Sequence, residues 1–190
     1  VVVPRGHSWK SFIPGGGTGR SFTNEYGYVG VSVVQDELMM EGMNEKGLSA
    51  GLFYFPDYGK YEEYSEANYE TNISDFQLVS YILGRCATVD EVKAEIARVH
   101  IHGFDPRSST VHWRFAEPSG RQIVLEIIDG KCIFYENNLG VLTNSPSFDW
   151  QLTNLNNYVN LLPGRTEPHT IGNMSLSSFG GGSAMIGLPG

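Results

Sequence analysis

Three strand-length runs, Val111 to Ala116, Gln122 to Ile128 and Lys131 to Tyr135, are separated by nothing longer than the turn formers around Pro118-Ser119-Gly120 and Asp129-Gly130. Connections that short leave no room for a crossover, so neighbouring strands must run antiparallel. A three-stranded meander is expected here, which argues against a βαβ array. Upstream, Tyr28, Gly30, Ser32 and Val34 alternate with Val29, Val31 and Val33. That pattern suits a strand buried on both faces or beneath another layer. Leu48 to Phe55 follows the turn formers of Asn44-Glu45-Lys46-Gly47, giving strand, turn, strand from Leu38 to Phe55.

Between the two strand groups the period changes. Ser74 can cap a helix whose apolar positions Phe76, Val79, Ile82 and Leu83 fall at helical spacing and which Gly84 closes. Thr88 can cap the next, where Val89, Val92, Ile96 and Val99 form a stripe and Asp90 and Glu91 are placed well for a first turn. A third helix is expected from about Phe148 to Leu161, with Leu152, Leu155 and Val159 on its apolar side. Paired helices between tightly connected strands indicate an α+β fold with mainly antiparallel sheets. No repeat or linker divides residues 1–190, which read as a single domain fragment; both ends look cut.

Several chemistries fit poorly. The 13 Lys and Arg are scattered and the formal net charge is -8, so no nucleic-acid footprint is visible. No apolar run is long enough for a membrane span. Gly15-Gly16-Gly17-Thr18-Gly19 lacks the spacing of a phosphate loop and reads as a hairpin loop. His100 and His102 lack an evident third metal ligand and read as exposed loop histidines. The acids of Tyr61 to Glu70 read as a solvated loop with aromatic anchors. No GxSxG elbow occurs. Cys86 and Cys132 match neither a redox pair nor a zinc cluster, and read as buried thiols. Asn144, after an apolar strand from Gly140 to Thr143, and Tyr54, at the end of another, fit two readings. They are a turn residue before proline and a core tyrosine, which is the commoner case, or donors held still for an oxyanion.

A resemblance bears on that choice. Gly42-Met43-Asn44-Glu45-Lys46-Gly47-Leu48, Ala87-Thr88-Val89-Asp90-Glu91-Val92, Val111-His112-Trp113 and Gly140-Val141-Leu142-Thr143-Asn144-Ser145-Pro146 resemble segments of the choloylglycine hydrolase family, in the same order. So do Phe148-Asp149-Trp150, Asn154-Leu155-Asn156 and Gly187-Leu188-Pro189-Gly190, and the likeness begins at Val2-Val3-Pro4-Arg5. The family comprises bile salt hydrolases and penicillin V acylases.

The resemblance implies a four-layer αββα sandwich of two antiparallel sheets, truncated here at both ends. It implies hydrolysis of a small-molecule amide at its linear C–N bond without a cofactor. An amino-terminal cysteine is the nucleophile and its α-amino group the base; neither Cys86 nor Cys132 aligns with that cysteine, so this chain alone is expected to be inactive. By the same resemblance Asn144 and Tyr54 are the oxyanion positions, and a tyrosine at 54 is similar to penicillin V acylases rather than to most bile salt hydrolases. Met40 and Phe104 are expected pocket walls. The segment Asn160 to Gly182 corresponds to an excursion that clasps neighbouring subunits, so a tetramer is expected. Fatty-amide or acyl-homoserine-lactone amidases, and a binding relative without the cysteine, are the alternatives. The compartment stays open between bacterial cytoplasm and periplasm.

Overall fold

The computed structural model describes residues 1–105, 107–158 and 167–177. In chain order it contains β1 (Val2–Val3), β2 (Ser8–Ile13), β3 (Gly17–Thr23), β4 (Tyr28–Val33), β5 (Gln35–Asn44), β6 (Ser49–Tyr54) and β7 (Asn72–Ser74). There follow α1 (Leu78–Arg85), α2 (Val89–Ile96), β8 (His100–His102), β9 (Val111–Ala116), β10 (Gln122–Ile128), β11 (Lys131–Glu136), α3 (Phe148–Leu155), β12 (His169–Ile171) and β13 (Met174–Leu176). The chain divides into two compact units, Val1–Phe148 and Asp149–Gly190.

The first unit is organised by a seven-stranded sheet in the order β1-β4-β5-β6-β9-β10-β11, every pairing antiparallel. The expected meander is β9, β10 and β11, and the turn at Asp129-Gly130 places both residues at positive φ, as a two-residue hairpin turn requires. Pairing β6 with β9 brings the two strand groups into one sheet across the intervening helices. Paired residues share a face, so Ala50, Phe115 and Ile123 lie in one row, and Leu52, Trp113 and Leu125 in the next. These six form part of the core with Leu78, Ile82 and Leu83 of α1 and Val89, Val92 and Ile96 of α2. Burying each of the Val, Leu, Ile and Phe side chains among them stabilises the fold by about 1.5–3 kcal/mol.

One close approach needs glycine. Gly30 and Gly42 face each other across β4 and β5, and a Cβ on Gly30 would lie 2.2 Å from Glu41 O and 2.8 Å from Gly42 Cα. On Gly42 it would lie 2.7 Å from Val29 O and 2.9 Å from Leu83 Cδ1, so the glycine pair lets β4 and β5 pair closely under α1.

The helix layer is extended by smaller sheets. The Gly15–Gly19 segment is the turn and early part of the β2/β3 hairpin, whose Trp9 and Phe22 pack at 5.0 Å and meet Tyr81 of α1 edge-on. β7 and β8 form a short parallel pair. The helix after Ser74 opens with a 3-10 turn, Asp75–Gln77, to which the Ser74 side chain makes no capping bond, and α1 proper begins at Leu78. Thr88 caps α2 as its position suggests: its side chain accepts from Glu91 N at 3.2 Å, and Glu91 Oε2 accepts from Ala87 N at 2.6 Å.

The opposite face of the sheet differs from the expectation for β4. Val29, Val31 and Val33 are 53%, 68% and 39% exposed, because the helices cover only the Tyr28 side of the strand. Met43, paired with Val29, is 50% exposed on the same face. An αββα sandwich stacks a second sheet against such a face, and the described residues supply the first sheet and its helices.

In the second unit α3 continues from Phe148 to Leu155, followed by a 3-10 turn at Asn156–Tyr158; the rest of the expected helix lies outside the described residues. Of the segment 160–182, only 167–177 is described, and it forms the β12/β13 hairpin. No helix among the described residues is long and apolar enough to cross a membrane.

Candidate active site

Tyr54 is the last residue of β6, with its side chain 52% exposed, so it is not a core tyrosine. Beyond it the chain leaves the sheet, and a second segment meets it there. Residues 138–147 form no strand: a turn at 138–139 and a bend at 144–146 flank an irregular stretch at Gly140 to Thr143, where a strand was expected. Asn137 sets their path, accepting from Gly140 N at 3.0 Å through Oδ1 and donating from Nδ2 to Val141 O at 3.1 Å.

That path delivers Asn144 to β6. Tyr54 N donates to Asn144 Oδ1 at 3.1 Å, across 90 residues of sequence. Ser145 N donates to Tyr54 O at 3.2 Å, and Ser145 Oγ to Pro56 O at 2.7 Å. Three hydrogen bonds thus tie residues 144–145 to the β6 exit. The first also orients the Asn144 amide, committing Oδ1 as acceptor and making Nδ2 its donating end.

Behind the loop lie two polar residues that sequence reasoning passed over. His112 of β9 and Glu126 of β10 are fully buried and stand 3.1 Å apart through Nδ1 and Oε1. His112 Nε2 lies 2.9 Å from Thr143 O, and Glu126 Oε1 accepts from Phe148 N at 2.8 Å. The His112 ring stacks on Phe55 at 4.5 Å and 10°. His112 belonged to a segment already singled out, and Glu126 was an acid inside an otherwise apolar strand, which was the available signal.

The expected pocket walls both lie in the first unit. Met40, in β5, packs against the core. Phe104, after β8, meets Phe12 at 5.6 Å and Phe76 at 6.0 Å. Its backbone N–H donates to Asp75 Oδ1 at 2.8 Å, as does that of Phe76. Burial pushes the Asp75 carboxyl up to about 7, against the lowering effect of those donors and of the Tyr61 hydroxyl. The folded state therefore keeps a proton that the unfolded chain has already released. Stability contributed this way is present at low pH and falls as pH rises from about 4 to about 7, by about 1.4 kcal/mol per pH unit, then levels off. Asp75→Asn, which keeps an oxygen for both N–H groups, is expected to remove that slope in urea denaturation followed across the same range.

His100 and His102 are not exposed loop residues. They belong to β8; His100 Nδ1 sits 3.0 Å from both oxygens of Glu62, and His102 is buried with Nδ1 facing Gly103 O at 3.1 Å. Burial lowers the His102 pKa. Among the described residues no group of three or more His, Cys, Asp or Glu is placed to hold a metal.

Of the cysteines, only Cys86 is buried as expected; Cys132, at the edge strand β11, is exposed. Burial pushes the Cys86 thiol up to about 12, with Glu95 and Glu91 adding to the rise. The protein around Cys132, with the Glu62 carboxylate, raises its pKa as well. Neither is a thiolate near neutral pH, the form a nucleophile requires.

The sequence model for linear amide C–N hydrolases of the choloylglycine hydrolase family matches residues 1–190. The bile salt hydrolase/transferase of Clostridium perfringens (strain 13 / Type A) is 35% identical over 178 residues, covering 90% of this chain and 54% of that protein. The penicillin V acylase of Pectobacterium atrosepticum is 33% identical over 158 residues, covering 75% of this chain and 41% of that protein. The crystal structure of a mutant conjugated bile acid hydrolase from Clostridium perfringens superposes with a TM-score of 0.79 at 32% identity, covering 100% of this chain and 58% of that one. The chain thus spans about half the length of the curated relatives it matches.

Proposed function

Because this chain belongs to the choloylglycine hydrolase family of linear amide C–N hydrolases, we propose that the protein carrying it hydrolyses a linear carboxamide and that Asn144 stabilises the oxyanion. The observation that carries this reading is the 3.1 Å bond from Tyr54 N to Asn144 Oδ1, which holds a side-chain amide at a strand exit with its donating end defined. A donor fixed before substrate arrives needs no reorganisation when charge develops, which is what makes such groups effective.

In this reading a cysteine thiolate from outside these residues attacks the amide carbon, since Cys86 and Cys132 are both held protonated. The carbonyl π electrons move to oxygen, and Asn144 Nδ2–H donates to that oxyanion. Tyr54 N–H joins it by sharing its hydrogen between Asn144 Oδ1 and the oxyanion. The nucleophile's own α-ammonium, formed when it takes the thiol proton, returns that proton to the leaving nitrogen. Collapse expels the amine and leaves a thioester, which water hydrolyses to release the acid.

The substrate is proposed from the relatives and from Tyr54. Both a bile salt hydrolase/transferase and a penicillin V acylase resemble this chain. The half-exposed Tyr54 ring at the site favours an aromatic acyl group, which stacks better on an aromatic face than a steroid edge does. Met40 and Phe104 remain the proposed apolar walls. Side-by-side assay of the whole protein on taurocholate and penicillin V tests the reading. Release of phenoxyacetate is expected to have the higher kcat/KM, and equal or greater release of taurine would refute the penicillin assignment. Turnover of neither substrate would turn the search to other N-acyl amides.

A further inference from the structure

His112 and Glu126 are a fully buried ionisable pair on the face of the sheet opposite the one that carries Trp113 and Leu125. Such a pair is seldom the most stable filling for its space, because apolar side chains of similar volume avoid its desolvation cost. What an apolar pair cannot do is hold backbone. His112 Nε2 faces Thr143 O at 2.9 Å, and a carbonyl only accepts, so Nε2 carries hydrogen and donates. Glu126 Oε1 receives Phe148 N–H at 2.8 Å and faces His112 Nδ1 at 3.1 Å. The pair therefore grips the loop at the residue before Asn144 and again at Phe148. The imidazole lies flat on Phe55, the residue after Tyr54, so the same ring also supports the β6 side of the site.

We infer that His112 and Glu126 are positioning residues for the hydrolysis, a clamp between β9 and β10 that holds Asn144 against Tyr54. This rests on the oxyanion reading of Asn144. It also explains why buried polar groups stand behind a surface loop: residues 138–147 form no strand, and these hydrogen bonds fix them to the sheet.

The test uses the whole protein with His112→Phe and Glu126→Gln together. Phenylalanine keeps the stack on Phe55, and glutamine keeps an oxygen for Phe148 N–H, so no unpaired charge is buried. The expected result is a fall in kcat of about 30- to 100-fold with KM within about threefold, as for a displaced reacting group. In an Asn144→Ala background the same two substitutions are expected to lower kcat by no more than about twofold, because they act through Asn144. A kcat equal to the parent's, while Asn144→Ala alone loses activity, overturns the clamp and leaves the oxyanion reading standing. So does a full loss added on top of that of Asn144→Ala. If Asn144→Ala alone leaves kcat intact, the oxyanion reading fails and the clamp with it. Should the double variant not fold, His112→Gln, whose single amide cannot reach both partners, is read in the same cycle with the same expectations.

Discussion

Asn144→Asp in the whole protein is expected to lower kcat by about 10²- to 10³-fold, the usual cost of losing one oxyanion donor. Aspartate is a sharper test than alanine. It keeps an oxygen to accept Tyr54 N–H at the position where Asn144 Oδ1 sits 3.1 Å away, so the loop stays tied to β6. What it loses is the donating nitrogen, and it sets a negative charge where negative charge must develop. The loss belongs in kcat and kcat/KM together, with KM little changed, because the interaction exists only once the carbonyl has been attacked. Single-turnover kinetics with an unchanged unfolding midpoint checks this. A variant that keeps kcat within a few fold of the parent would remove Asn144 from the mechanism.

The second large effect concerns stability. Asn44 is buried and uses its side chain four times: Nδ2 donates to Leu83 O at 2.9 Å and Cys86 O at 2.7 Å, while Oδ1 accepts from Lys46 N at 3.0 Å and Leu48 N at 3.1 Å. One amide thus closes the carbonyl end of α1 and shapes the turn between β5 and β6, where Gly47 takes φ 82°. Asn44→Ala strands two buried acceptors and two donors at once. With each costing about 1–3 kcal/mol, a total loss of about 3–5 kcal/mol is expected after some of them find water. Urea denaturation of parent and variant measures it through the midpoint at equal m-value. A loss below about 1 kcal/mol would mean that solvent enters freely and that the turn does not depend on this residue. Since Tyr54 terminates β6, loosening the start of that strand is expected to lower activity too, secondarily to stability.

Much of the fold was legible because its signals are local. The meander followed from turn residues and two-residue periodicity, and β9, β10 and β11 lie within a residue or so of the runs that announced them. Thr88 capped the helix it was expected to cap, since capping needs only the next three residues. The misreadings share another cause. β4 was expected to be buried on both faces or beneath another layer because valine fills every second position, yet burial depends on what is stacked above a face, and Val31 is 68% exposed. Gly140 to Thr143 looked like a strand, but its contacts are to side chains, Asn137 to Val141 O and His112 to Thr143 O, rather than to a strand ladder.

The site divides along the same line. Residue types and order were enough to single out Asn144 and Tyr54 and, through the family likeness, to attach a chemistry to them. They could not show that Tyr54 N–H ends on Asn144 Oδ1, nor that His112 and Glu126 stand behind the loop. Those contacts follow from the sheet order β6-β9-β10, which sets segments as much as 90 residues apart within hydrogen-bonding distance. Periodicity records which way a side chain faces relative to its own strand. The separation between two polar atoms on different strands is a property of the packed sheet, and hydrogen bonding is lost within an ångström of misplacement, so only the tertiary structure could decide it.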